Sequence, residues 1–102
     1  MATYTSQDTE TALRVARNVC NAWGLSDHET STLLGTGDGE QLERISCVIG
    51  IYKSLRTIFQ TDQQADAWVR RPNRAFGGQT ALEVMLNGGL ADIRRYLAGQ
   101  EQ

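Results

Sequence analysis

A long run of apolar residues constrains the fold of this chain more than any other feature. Over residues 40–60 the apolar side chains recur every three or four positions, which is the spacing of one helix face. The stripe consists of Leu42, Ile45, Ile49, Tyr52, Leu55 and Phe59. Val48, Ile51 and Ile58 widen it, and so broad an apolar face needs neighbours on several sides. Gly50 costs about 1 kcal/mol relative to Ala inside a helix, so we expect another helix to cross closely there.

The rest of the chain divides into shorter helices with recognisable ends. Ser26 and Glu29 have the three-residue spacing of a capping box, and so do Thr80 and Glu83. Gly24 stands where a C-terminal cap belongs. No segment alternates apolar and polar residues in the manner of a strand. The sequence therefore predicts an all-α fold, a single small domain of about six helices around one long central helix.

Size and composition narrow the class of protein further. A chain of 102 residues has room for one hydrophobic core. No apolar run approaches the ~20 residues that cross a bilayer, and the first residues lack a secretion signal. Cys20 and Cys47 lie alone on helical stripes, so we expect reduced core residues. These features predict a cytoplasmic protein that makes no membrane contact.

Residues that commonly carry catalysis are scarce. His28 is the single histidine, and a nucleophilic thiol would need it beside Cys20 or Cys47. The glycine-containing stretches lack the Lys-Ser or Lys-Thr that completes a phosphate loop. We therefore expect no catalytic residue, no metal and no cofactor, and predict that the protein is not an enzyme. A hydrolase using one of the two thiols is the weakest alternative.

Charge is spread unevenly along the chain. Seven acidic residues oppose two basic ones up to Glu43, a local net charge of −5, whereas the remainder carries +3. The segment "VARNVCNAWGLSDHETSTLLG" has the layout of a helix-turn-helix opening. Its second helix, however, contains no Lys or Arg with which to contact phosphate. Packing helices are favoured here, and a DNA-binding regulator acting through these helices is the alternative.

The stretch "AWVRRPNRAFGG", residues 67–78, gathers the features of a contact surface. It holds Trp68, Arg70, Arg71, Pro72, Asn73, Arg74, Phe76, Gly77 and Gly78. A proline with fixed φ and a flexible glycine pair hold a short loop in place. Arginine and aromatic residues are enriched at binding hot spots, and guanidinium groups form paired bonds to carboxylates or phosphates. From the residues alone, a solvated group of charges fits this stretch as well as a contact surface does.

The last helix offers the same residue types again. Arg94, Arg95 and Tyr96 precede a short tail of small and polar residues. Such chain ends are typically mobile, and a mobile end with these side chains suits the cleft of a partner. A frayed terminus without a role is the alternative.

Several motifs, taken together and in this order, resemble the toxin-binding domain of the Xre/MbcA/ParS family of antitoxins. They are "RIS", "IGIYKSLR", "AWVRRPN", "FGG", "TALEVMLNGG" and "IRRYL". The resemblance runs from about residue 42 to residue 99. It implies a toxin-binding domain over residues 40–102 and, over residues 1–39, N-terminal helices that are a reduced Xre-like helix-turn-helix remnant.

The resemblance also implies a function. It implies the antitoxin of a type II toxin–antitoxin system that binds a RES-domain toxin and occludes its active site, the toxin being one that consumes NAD or transfers ADP-ribose. By analogy, the toxin-binding residues would be Arg70, Arg71, Arg74, Phe76, Arg94, Arg95 and Tyr96. The fold-defining residues would be Trp68, Pro72, Asn73, Gly77 and Gly78.

Two further expectations concern partners. Only "TGDGEQ" separates "LLG" from "LERIS", where family members with a full helix-turn-helix carry about one more helix. This difference counts against operator DNA as a partner. A homodimer is expected, because the long helix has more apolar surface than so small a domain covers.

Overall fold

Helices account for nearly all of the regular structure in the computed structural model, which describes residues 6–35 and 41–100. The elements in chain order are α1 (Ser6–Ala22), α2 (Asp27–Leu34), α3 (Gln41–Ile58), α4 (Asp62–Trp68), a 3-10 turn (Arg74–Phe76), α5 (Ala81–Val84), a π-helical turn (Met85–Gly89) and α6 (Leu90–Gln100). Residues 6–35 and 41–100 contain no strand, only an isolated antiparallel bridge between Pro72 and Thr80. The predicted all-α fold is confirmed. The helix count is six, or five when α5, the π-helical turn and α6 are taken as one stretch.

Helix α3 is central, as its apolar pattern predicts. Its buried residues are Ile45, Cys47, Val48, Ile51, Ser54 and Leu55. Helices α1, α2, α4 and α6 all contact it. One hydrophobic cluster runs from Ala16 in α1 to Leu97 in α6, so both predicted segments share a core. The predicted boundary between them, at residues 39 and 40, lies outside the described residues.

Both predicted capping boxes are present. The Ser26 hydroxyl accepts from the Glu29 backbone N–H at 3.1 Å, and the Glu29 carboxylate accepts from the Ser26 N–H at 2.9 Å. Thr80 and Glu83 make the same reciprocal pair at 3.0 Å. Gly24 ends α1 with φ of +76°, a left-handed conformation that glycine adopts without a steric penalty. These caps set the starts of α2 and α5 and the turn between α1 and α2.

The close helix approach predicted at Gly50 is confirmed. Helix α6 crosses α3, and a Cβ atom built on Gly50 would lie 2.8 Å from Nε of Arg94. The guanidinium group of Arg94 lies directly over the α3 backbone at Gly50, and a larger residue at this position would displace it.

The surrounding helices cover most of α3. Among its apolar residues, Leu42, Ile49, Tyr52 and Ile58 stay half-buried. Val15 of α1 is the large hydrophobic residue that is exposed among the described side chains. The apolar surface left uncovered on α3 and α1 is therefore smaller than the broad apolar face of α3 in the sequence suggests. The homodimer stays a prediction. None of the helices within residues 6–35 and 41–100 combines the length and apolar character needed to cross a membrane.

Candidate functional site

Three aromatic side chains from three elements meet at the surface. The rings of Trp68 and Tyr96 are nearly parallel, with centroids 6.3 Å apart. Phe76 meets both edge-on, at 6.1 Å from Trp68 and 5.1 Å from Tyr96. All three are half-buried and pack against the core. This aromatic cluster (Trp68, Phe76 and Tyr96) joins α4, the 3-10 turn and α6, and it leaves part of each ring in contact with solvent.

Backbone hydrogen bonds centred on Asn73 hold the loop that carries Phe76. The Asn73 carbonyl accepts from the N–H groups of Phe76 at 3.1 Å and Gly78 at 3.0 Å. Its side-chain oxygen accepts from the Ala75 N–H at 2.9 Å. Gly77 and Gly78 have φ of +66° and +88°, which favours glycine. The loop is therefore closed by its own bonds, with Phe76 at a fixed place.

The base of the same loop is tied to the core. The Leu82 N–H donates to the Val69 carbonyl at 2.9 Å, and Val69 is fully buried. Pro72 lies in the bridge to Thr80, where its missing N–H and fixed φ suit an exposed edge. Pro72, Asn73, Gly77 and Gly78 thus take part in the contacts of this loop and Trp68 in the aromatic cluster, while their fold-defining role stays a prediction.

Arg70 is bonded within the protein rather than directed away from it. Its Nε donates to the Trp23 carbonyl at 2.8 Å, and its Nη2 donates to the Gly24 carbonyl at 2.7 Å. Both carbonyls lie at the C-terminal end of α1, where backbone acceptors lack helical partners. Arg70 therefore connects the start of the loop to the N-terminal helices.

We expect Arg70→Gln to lower the free energy of unfolding by about 1 kcal/mol, because it removes two charge-assisted hydrogen bonds near the surface. For a domain of this size the melting temperature should fall by roughly 4–8 °C. Thermal unfolding followed by circular dichroism measures this. Arg71→Gln is the matched control, since its guanidinium makes no such bond within the part of the chain that the structure describes. Equal melting temperatures for both variants would contradict the assigned role.

Arg71 and Arg74 are exposed on the same loop. No hydrogen bond or ion pair joins either guanidinium group to any of residues 6–35 and 41–100. Arg74 belongs to the three-residue 3-10 turn that also holds Phe76. Two free cations thus accompany the aromatic cluster, and both can accept a partner without first breaking an internal bond.

The three residues of α6 predicted to bind the toxin lie on different sides of the helix; they are Arg94, Arg95 and Tyr96. Successive residues are about 100° apart around a helix axis, so Arg94 and Tyr96 differ by roughly 200°. Tyr96 joins the aromatic cluster, whereas Arg94 turns toward α3 and donates to Ser46 Oγ at 3.3 Å. Arg95 lies between them, exposed and 3.4 Å from Asp92 of its own helix. The structure therefore brings Phe76 and Tyr96 together and places Arg94 elsewhere.

Arg56 is a further cation that the sequence reasoning missed. Its guanidinium lies 4.5 Å from the centre of the Tyr52 ring, donates to the Tyr52 hydroxyl and pairs with Asp62. The four-residue spacing of Tyr52 and Arg56 on one helix face is the signal that could have found it. This group links the end of α3 to the start of α4, the helix that presents Trp68.

Neither cysteine has the environment of a nucleophile. Cys20 is fully buried, and burial raises the pKa of its thiol to about 11, against a smaller lowering by a hydrogen bond with Thr30. Cys47 is also buried and free, while His28 is exposed on α2. A nucleophilic cysteine needs the thiolate form at neutral pH. The burial of both thiols agrees with the predicted core role.

We expect Cys20 to resist thiol reagents in the native protein. With a pKa of about 11, only about one Cys20 thiol in a thousand is ionised at pH 8, and the protein also excludes the reagent. Maleimide labelling of a Cys47→Ala variant, followed by mass spectrometry, isolates this thiol. Labelling should become fast only in denaturant. Fast labelling of the folded variant at pH 8 would contradict this expectation and favour the alternative of a hydrolase with a nucleophilic cysteine.

Comparisons with known proteins point to the C-terminal half of the chain. Residues 54–102 match the family model described as antitoxin Xre/MbcA/ParS C-terminal toxin-binding domain. The chain is also 44% identical over 69 residues to the uncharacterized protein y4oB of Sinorhizobium fredii (strain NBRC 101917 / NGR234). That alignment covers 65% of this chain and 54% of the relative, so the chain spans about half of the relative's length. No solved structure matches the chain. The family match contains the aromatic cluster, the loop and α6.

Proposed function

Because residues 54–102 belong to the toxin-binding domain family of Xre/MbcA/ParS antitoxins, we propose that this chain neutralises a RES-domain toxin by covering its active site. The family supports an antitoxin role with a toxin as partner. The RES class of the toxin and the occlusion of its active site are our proposal.

The observation that carries this proposal is the aromatic cluster, next to which the loop bearing Phe76 also holds the exposed Arg71 and Arg74 in sequence. Tryptophan, tyrosine and arginine are enriched among the residues that contribute most to binding at protein interfaces. Here Phe76 stands on a loop that is closed by hydrogen bonds, and all three rings pack on the core. A preorganised surface loses little conformational entropy on binding, which favours a tight complex.

The mechanism is stoichiometric binding. The rings of the aromatic cluster would pack against apolar surface at the mouth of the toxin's active site. Arg71 and Arg74 would pair with carboxylates near that mouth, where guanidinium groups form two parallel hydrogen bonds. A substrate the size of NAD would then be excluded by the bulk of α6 and the loop.

Co-expression tests the proposal directly. The chain should co-purify with the RES-domain product of a neighbouring gene and preserve cellular NAD when both are produced together. A toxin variant that lacks activity, expressed with and without the chain, controls for effects of expression on NAD. If NAD is still depleted when the chain is in molar excess over the toxin, the proposal is wrong.

A further inference from the structure

A second surface lies on the opposite side of α6 from the aromatic cluster. It is a groove of about 240 Å³ between α1, α3 and α6. Ala12, Leu42 and Ile49 contribute apolar walls, and Lys53 and Arg94 line the same groove as cations. The groove therefore combines an apolar floor with concentrated positive charge.

The position of Arg94 in this groove depends on a glycine. A Cβ atom on Gly50 would lie 2.8 Å from Nε and 2.9 Å from Cζ of Arg94, so any larger residue displaces the guanidinium. The only side chain to which Arg94 donates in the described part of the protein is Ser46, at 3.3 Å. Gly50 lowers the helix propensity of α3, and its lack of a side chain leaves the space that the Arg94 guanidinium occupies.

No carboxylate among the described residues neutralises the charge of Arg94. Across residues 6–35 and 41–100, no carboxylate forms an ion pair with Arg94 or with Lys53. Arg56 and Arg95, by contrast, each have an acidic partner. A guanidinium held over a glycine beside a second cation, with apolar walls next to it, is complementary to a carboxylate that has an apolar neighbour.

We infer that the α1–α3–α6 groove binds an acidic side chain of the toxin together with an adjacent apolar residue. This inference rests on the proposed function, because it assigns a second contact to the same complex. Since Arg94 and Tyr96 lie on opposite sides of α6, a toxin that contacts both must enclose the helix from two directions. The two contacts would together fix the orientation of α6 against the toxin.

Titration calorimetry against the purified RES-domain toxin tests the groove. We expect Arg94→Gln to weaken binding by about tenfold, as for the loss of one partner of a charge-assisted bond that becomes buried. Gly50→Ala should weaken binding similarly, because its methyl group occupies the seat of the guanidinium. Arg17→Gln on α1 removes the same charge outside the groove and should leave affinity unchanged.

Two readouts separate the possible results. The melting temperature of Gly50→Ala should equal or exceed that of the unchanged protein, so weaker binding by this variant cannot reflect unfolding. If the unchanged chain fails to bind the toxin, the proposed function fails. If the unchanged chain binds and both groove variants bind as tightly, only the groove assignment is overturned. The assignment is also overturned if the variants alter self-association in sedimentation and leave toxin affinity intact, since the groove would then contact a second copy.

Discussion

Replacing Arg71 and Arg74 together by Glu is expected to weaken toxin binding by about a hundredfold or more. Each guanidinium group is exposed and makes no bond to residues 6–35 or 41–100, so both are available to carboxylates of the toxin. Removing two interface cations loses their paired hydrogen bonds, and the new carboxylates add repulsion against an acidic partner. The expected effect is large because both positions flank the aromatic cluster.

Calorimetry with the purified toxin, together with circular dichroism of the free variant, measures this effect. Helicity and melting temperature should stay unchanged, because neither side chain supports the fold. Arg14→Glu with Arg17→Glu is the matched control, since it makes the same change in net charge on the exposed face of α1. A loss of affinity that is equal in the two double variants would indicate long-range electrostatics rather than contact at the loop. Arg70 is left intact because its substitution would disturb the end of α1.

The second large effect concerns the turn between α5 and α6. Gly89→Ala is expected to lower the free energy of unfolding by about 3 kcal/mol, the upper end of the usual cost of overpacking. A Cβ atom at Gly89 would lie 2.5 Å from Cγ1 and 2.9 Å from the carbonyl oxygen of Val84. The carbonyl belongs to the backbone and cannot turn away as a flexible side chain would. The turn must therefore open, and α6 must shift against α3.

Thermal and denaturant unfolding measure the destabilisation of Gly89→Ala. The melting temperature should fall by roughly 12–24 °C for a domain of about one hundred residues. Gly99→Ala is the control, because a Cβ atom there meets nothing within 4 Å and the residue lies in α6, the helix that follows the turn. Similar melting temperatures for the two variants would show that the turn adapts, and the close approach of Gly89 to Val84 would then have no role in stability.

Local patterns in the sequence predicted the local structure well. The capping boxes at Ser26 and Thr80 depend only on residues three positions apart, and both formed. The helical crossing at Gly50 was predictable because an interior glycine is costly unless something approaches it. The periodicity of α3 fixed which element is central. In each case the cause and its consequence lie within one or two helical turns.

Contacts between distant segments were not predictable in the same way. Arg70 donates to carbonyls more than forty positions away, and no pattern in its own loop indicates them. The aromatic cluster required knowing how α4, the 3-10 turn and α6 pack together. That Arg94 and Tyr96 lie on opposite sides of α6 follows from helix geometry alone. Which of them contacts α3 and which contacts Trp68 depended on the packing of α6.

The family match covers residues 54–102, whereas the resemblance in the sequence was expected to start at about residue 42.

The two bonds from Arg70 to the end of α1 have a consequence for how such a protein can be shortened. A fragment starting at α3 would keep every residue of the family match but lose both acceptors, Trp23 and Gly24. The guanidinium of Arg70 would then bond to water, the loop would lose its connection to α1, and Trp23 would no longer fill the core. Helices α1 and α2, which lie outside the family match, thus support the loop inside it.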